Sequence, residues 1–259
     1  MAQQEKHRLH VVIQRIRTLT DRHVRASTWN LVRASLLRRN LPDLGSNVTT
    51  YVDFWERAHT AGSHLWLTGS PPDEVLSRLG AKEWLSEPAA KVLDVGVGEG
   101  HMARRLSEQG VCFDCLDISA VALERVRGLC RSVFLHAENL PSNEYSLVMH
   151  HLVAQHMDDP ALTSQLHHLI RSLRLEGTIA LQFAAPAAPR KSSIAKKSPT
   201  FEETVTGGFL RTPEELADIV RSSGGVVIAM LPREQWVKSS CQFWVAHIGR
   251  GSLENSSNN

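Results

Sequence analysis

The chain has 259 residues, 42% of them hydrophobic and 22% charged, with a formal net charge of +2. That balance suits one globular domain with an appended element. It holds no run near the roughly 18 apolar residues of a membrane span, and its first residues carry charges where a secretory segment is apolar. The four cysteines, Cys112, Cys115, Cys130 and Cys241, are too few and scattered for a disulfide framework. A cytoplasmic protein with reduced thiols is expected, with an organelle as the alternative if the N-terminus is a targeting segment.

Residues 1–45 read as a basic extension. Leu9, Val12, Ile13, Ile16 and Leu19 fall at helical spacing, flanked by Arg8, Arg15 and Arg22 every seven positions. Such an amphipathic helix covers a core, or meets a partner, a membrane surface or nucleic acid. Residues 46–90 form a second helical stretch, rich in aromatics that include Tyr51 and Trp55 and broken at Pro71 and Pro72. Asp73 and Glu74 follow, where the first turn of a new helix favours negative charge.

From residue 91 to 249, β-like and helical runs alternate, as in a parallel sheet flanked by helices. KVLDVG is the first strand and GHMARRLSEQG its helix; VCFDCLDIS is the second strand and AVALERVRGLC its helix. SVFLHA, YSLVMHHL and GTIALQFAAP are strands three to five, with the helix PALTSQLHHLIRSLR before the last. A basic insert of low complexity covers 186–206. In RTPEELADIVRSSGG, Thr212 is placed to cap, Pro213 to begin and Gly224 to end a helix. GVVIAML and CQFWVAHIG make strands six and seven, and residues 250–259 read as a disordered tail.

The first strand ends in Gly96, Gly98 and Gly100 and opens a helix. Glycines at this spacing let bare amides and a helix N-terminus approach a polar ligand. A dinucleotide fingerprint requires glycine at position 101, and His101 stands there instead. Asp117, about 20 residues on at the end of the second strand, is placed to accept hydrogen bonds from ribose hydroxyls. Together they imply a ligand of adenosine type.

On these residues the chain resembles the class I S-adenosylmethionine-dependent methyltransferases, of the type 11-like kind, over about residues 75–249. The resemblance implies an α/β fold: a doubly wound, seven-stranded, mostly parallel sheet, Rossmann-like, here with a helical N-terminal extension. It implies that Asp94, Gly96, Val97, Gly98 and Gly100 hold the methionine part of S-adenosyl-L-methionine, and that Asp117 and Ile118 hold the ribose. HAENLP, residues 136–141, stands for the family's third motif, with Ala137 and Glu138 at the adenine and His136 in place of the usual Asp. NEYSLVMHHLVAQHMDDP resembles the fourth region, with His150 near the cofactor. LRLEG stands for the turn after the following helix, with Glu176 in place of a glycine.

Methyl transfer is an in-line displacement, so alignment is the first task and a base serves only some acceptors. His156 and His151 are the candidate bases, and Tyr51 and Trp55 the candidate lid over the substrate. His167 and His168 lie mid-helix and read as surface residues. No metal site is expected, because Cys112 and Cys115 are three apart on one strand and face opposite sides. The expected acceptor is a small molecule, methylated on oxygen or nitrogen. Two alternatives stand beside it: a catalytically silent methyltransferase-like subunit with an interaction role, and a nucleic-acid methyltransferase, which lacks an N/D-P-P-Y/F motif here.

Overall fold

The computed structural model describes residues 55–56, 58–60, 71–87, 90–186, 209–238 and 241–251. The expected basic helix, Tyr51, most of the basic insert and most of the tail lie outside the described residues.

Seven strands form one sheet: β1 (Lys91–Val95), β2 (Cys112–Leu116), β3 (Val133–Phe134), β4 (Tyr145–His150), β5 (Leu173–Pro186), β6 (Gly225–Lys238) and β7 (Cys241–Arg250). Their order is β3-β2-β1-β4-β5-β7-β6. The strands β1 to β5 pair in parallel, and β7 runs antiparallel between β5 and β6. The expected doubly wound, mostly parallel sheet is therefore present. Among the described residues the sheet is flanked by helices α1 (Pro72–Leu79), α2 (Lys82–Leu85), α3 (His101–Glu108), α4 (Ala120–Val126), α5 (Asp159–Ser172) and α6 (Pro213–Ser222).

Alternation along the strands divides the core in two. Leu93, Val148, Ile179 and Leu181 pack with Leu166 and Leu169 of α5 and Leu216 and Val220 of α6. Val92, Leu147, Met149 and Ala180 pack with Leu76 and Leu79 of α1, Ala103 and Leu106 of α3, and Leu123 of α4. A strand covered on both faces is a continuous apolar run, as LVM in β4 and IAL in β5 are. Full burial of each such Leu or Val stabilises the fold by roughly 2 kcal/mol before chain entropy is counted.

The helix ends follow the sequence. Thr212 Oγ1 accepts from the Glu215 amide and the Glu215 carboxylate accepts from the Thr212 amide, a complete capping box at α6. Asp158 caps α5, which starts at Asp159, ahead of the expected PALTS. Gly224, at φ +84°, closes the α6 end.

Three segments differ from expectation. The LRLEG stretch is a bulge within β5, not a turn before it: Tyr145 pairs with Leu173 and Leu147 with Thr178, so five positions of β5 oppose two of β4. Leu175 and Glu176 are exposed on that bulge, and a Cβ on Gly177 would overlap the Tyr145 carbonyl oxygen. Strand β3 is only two residues long, Val133 and Phe134 pairing with Cys115 and Leu116 at the carboxyl end of β2. Strand β6 continues to Lys238, carried past Leu231 by antiparallel pairing with β7.

Candidate active site

Strand order reverses between β1 and β4, so their carboxyl ends open a crevice where open α/β sheets take ligands. The turn after β1 occupies it. Gly96, Gly98 and Gly100 all have left-handed backbone, at φ +76°, +52° and +74°, a region where a side chain is strained. The Gly96 amide donates to the Leu116 carbonyl at 2.7 Å, tying the turn to β2. A Cβ on Gly96 would overlap a Val153 methyl, whereas one on Gly98 would meet nothing nearer than 3.9 Å. The bare face of Gly98 therefore has room for a methyl group, in van der Waals contact with the His59 ring, while that of Gly96 is filled by the loop after β4.

Two buried carboxyls face each other across this turn. Asp94, 5% exposed, has an Oδ2 atom with no hydrogen-bond partner. Burial and the neighbouring charge of Asp117 push its pKa up to about 7. Asp117 accepts from the Gly98 amide at 3.1 Å and the Ser119 amide at 2.9 Å. Its pKa is pushed up to about 6 by burial, against the opposing effect of those two amides. Ile118 beside it is 40% exposed, unusual for a large aliphatic side chain. Ala137 and Glu138 form a single 3₁₀ turn, residues Ala137–Asn139, immediately beyond β3.

A helical segment at residues 55–56 and 58–60 lies over the turn. Glu56 accepts from Ser119 Oγ at 2.5 Å. His59 is 4% exposed, with its ring beside Gly98. Arg125 of α4 donates to the His59 carbonyl at 2.6 Å and to Glu99 at 2.8 Å. Trp55 meets the His156 ring edge-on, with centroids 4.9 Å apart.

Beyond β4 the expected histidines separate. His150 lies on the α5 side of the sheet, where its Nε2 pairs with Gln165 Oε1 at 2.8 Å, and burial lowers its pKa to about 4. His151 has its pKa lowered to about 3 by burial, by the charge of Arg78 on α1 and by His150. Both rings are neutral at pH 7. Leu152 adopts φ +58°, a strained conformation for a non-glycine residue. The 3₁₀ turn Ala154–His156 follows and carries His156 to Trp55.

Arg211 fixes that turn. Its side chain, 1% exposed, donates to the Ala154 carbonyl at 2.9 Å, to the Met157 carbonyl at 2.6 Å and to Asp159 at 2.9 Å. Its own amide donates to the Ala184 carbonyl, and the Phe209 amide to the Gln155 carbonyl. The segment after the insert thus joins the turn to the end of β5.

The structure brings Asp94, Gly96, Gly98, Gly100 and Asp117 together, and Trp55 with His156. It places Val97 in the core at 6% exposure and His150 behind the sheet. Sequence reasoning missed Glu56, His59, Arg125, Gln182 and Arg211. Only Gln182 carries a sequence signal, as the polar residue in the apolar run IALQFAAP. Cys112 is exposed and Cys115 buried, on opposite faces of β2 as expected. His167 and His168 lie on α5, His167 exposed and His168 half-buried.

Residues 92–177, from β1 into β5, match the family model of a methyltransferase domain. This segment is thus similar to a methyltransferase domain. The strand order is the one that the sequence resemblance implies for the fold. No curated protein matches the chain significantly. Among solved structures, the domain is similar to a 1,6-didemethyltoxoflavin N1-methyltransferase of Burkholderia thailandensis, crystallised with S-adenosylhomocysteine. That match has a TM-score of 0.58 and 17% identity, covering 78% of this chain and 87% of the other. It is also similar to a phosphoethanolamine N-methyltransferase 2 of Haemonchus contortus, with a TM-score of 0.58 and 16% identity over 79% of this chain and 61% of the other. A mitomycin 7-O-methyltransferase matches with a TM-score of 0.58 and 15% identity, over 85% of this chain and 68% of the other. Among the described residues, no helix is long and apolar enough to cross a membrane.

Proposed function

We propose that the chain transfers a methyl group from S-adenosyl-L-methionine to a small-molecule acceptor. The observation that carries this reading is the Asp94 carboxyl group, buried near the end of β1, two residues before the first glycine of the turn, with one oxygen that has no hydrogen-bond partner. A buried carboxylate oxygen without a donor is unfavourable unless a ligand supplies one, and the ammonium of the cofactor's methionine part is such a donor. The residues present fit the cofactor: the bare face of Gly98 leaves room along the turn, and two amides already orient Asp117.

When bound, the cofactor supplies an electrophilic methyl on a sulfonium. The chain's own residues do the rest. Asp94 would hold the amine, and Asp117 would accept from the ribose hydroxyls. Ile118, whose side chain is exposed, and the Ala137–Glu138 backbone would hold the adenine. Trp55, against His156, covers the acceptor. His156 takes the proton that the acceptor loses as its oxygen or nitrogen gains the methyl, and His151, kept neutral by burial and the charge of Arg78, is the second candidate base. The reading of a small acceptor draws support from the similar structures, whose own acceptors are small molecules.

Isothermal titration with S-adenosylmethionine and S-adenosylhomocysteine tests the reading. Micromolar binding that Asp94→Asn weakens at least tenfold supports it, and absence of binding to either compound sinks it.

A further inference from the structure

Gln182 is 3% exposed, and neither its amide nitrogen nor its carbonyl oxygen has a hydrogen-bond partner. A carboxamide offers two donors and an acceptor with two lone pairs. Burying it unpaired is destabilising, and each such group in a folded protein calls for a cause. A leucine would fill the position without that penalty, so the cause is sought in a ligand.

Its place in the sheet points the same way. Leu181 pairs with His150, the last residue of β4, so Gln182 is the first residue of β5 beyond the end of its neighbour. On its other side it pairs with Val245 of β7. Alternation puts it on the face of Ala180, which packs with Val92 and Met149, the same face as Asp94. It therefore lies at the carboxyl edge of the sheet, one strand beyond β4 and on the Asp94 side.

The wall next to it is largely apolar. Ala184, two residues on and on the same face, packs with Phe243, Leu152 and Leu210. Burial and the nearby charge of Arg78 keep His151 neutral, and Arg78 itself is engaged by Glu74. A charged acceptor would have to compete with Glu74 for that cation, whereas a neutral one need not.

Resting on the methyltransferase reading, we propose that Gln182 recognises the methyl acceptor, a neutral molecule presenting a hydrogen-bond donor beside an acceptor, as an amide, a lactam or a hydroxy-substituted heteroaromatic edge does. Its carboxamide forms paired hydrogen bonds to that edge, and Phe243 and Leu152 pack on the apolar remainder. A site built this way rejects analogues that leave its polar group unpaired.

The test uses the full chain with Gln182→Leu. Methyl transfer from labelled S-adenosylmethionine is measured to uracil, 2-pyridone and 4-hydroxy-2-quinolone, and to ethanolamine and phosphoethanolamine. Turnover is expected among the neutral lactams alone, and Gln182→Leu is expected to raise their KM about 10- to 100-fold. The unliganded variant is also expected to melt about 3 °C higher, because an unpaired buried amide has been removed. Turnover confined to the charged compounds, an unchanged KM or a lower melting temperature overturns the inference. If no compound turns over, the melting result alone decides. A parent chain that binds no S-adenosylmethionine by titration fails the methyltransferase reading itself. One that binds it normally while Gln182→Leu melts lower fails only this inference.

Discussion

The Trp55 indole stands edge-on to the His156 imidazole, with ring centroids 4.9 Å apart, joining the segment before the domain to the turn after β4. A contact between two elements so far apart in sequence makes covering the crevice and placing His156 a single event. Trp55→Ala is therefore expected to raise the acceptor KM and lower kcat together, with the fold intact. His156→Gln is expected to lower kcat by about 100-fold with little change in cofactor affinity. Steady-state kinetics on the acceptor found by labelled methyl transfer checks both, and a His156 variant with full kcat would remove it as the base.

The buried carboxyl of Asp94 sets a pH dependence. Its pKa lies near 7, above the ordinary value near 3.8, so the folded chain favours the neutral acid. Unliganded stability therefore falls as pH rises from about 4 to about 7. The cofactor's ammonium favours the ionised form, so affinity moves the opposite way. It should rise by up to tenfold per unit until about pH 7 and then level off. Asp94→Asn is expected to flatten both curves, as melts and titrations at pH 5, 6, 7 and 8 would show.

Two glycine substitutions separate binding from folding. Gly98→Ala places a methyl at φ +52° in ordinary contact with the His59 ring and without overlap, so strain of about 1 kcal/mol accompanies a loss of cofactor binding of more than tenfold. Gly96→Ala drives a methyl into Val153 and is expected to cost more in stability than Gly98→Ala. Urea denaturation with and without S-adenosylhomocysteine distinguishes the two. Equal destabilisation with equal binding loss would contradict the assignment of Gly98 to the ligand face.

Arg211 is buried with three acceptors, two of them backbone carbonyls of the turn before α5. Arg211→Met removes the guanidinium's bonds to both carbonyls and to Asp159 and is expected to destabilise the fold by about 3 kcal/mol. Arg211→Lys should recover little, since a single ammonium cannot span the three positions the guanidinium fork reaches. Chemical denaturation reads the first effect, and comparison of the two variants reads the second.

Tyr145→Phe serves as a contrast. Its hydroxyl donates to Asp114 at 2.9 Å beneath the sheet, at the end opposite the crevice, and Arg131 donates to the same carboxylate. Loss of that bond should lower stability by about 1 kcal/mol and leave cofactor affinity unchanged.

What the sequence disclosed follows from distance along the chain. The glycine turn, Asp117 and the capping box of α6 are local chemistry, with residue types dictated by a φ angle or a nearby amide, and the structure places them as their spacing implies. The bulge at Leu175 escaped notice because it is defined by register against β4, which no local pattern encodes. Arg211 and Glu56 escaped for the same reason: their partners, Ala154 and Ser119, lie on other elements. His150 is expected at the cofactor and His151 as a candidate base, and the alternation of β4 puts His150 on the α5 side and leaves His151 near the charge of Arg78.

The placement of β7 has a consequence for how the molecule assembles. The glycine turn closes through a bond from Gly98 to Asp117, 19 positions away, whereas β5 is closed by contacts such as Thr178 to Ile248, 70 positions away. Short loops form first because less chain entropy opposes them. The half bearing Asp94 and Asp117 should acquire amide protection early in refolding, and β5 with Gln182 only when β7 docks beside it. Pulsed hydrogen exchange would show that interval, during which the outer edge of β5 stands unpaired and open to another chain.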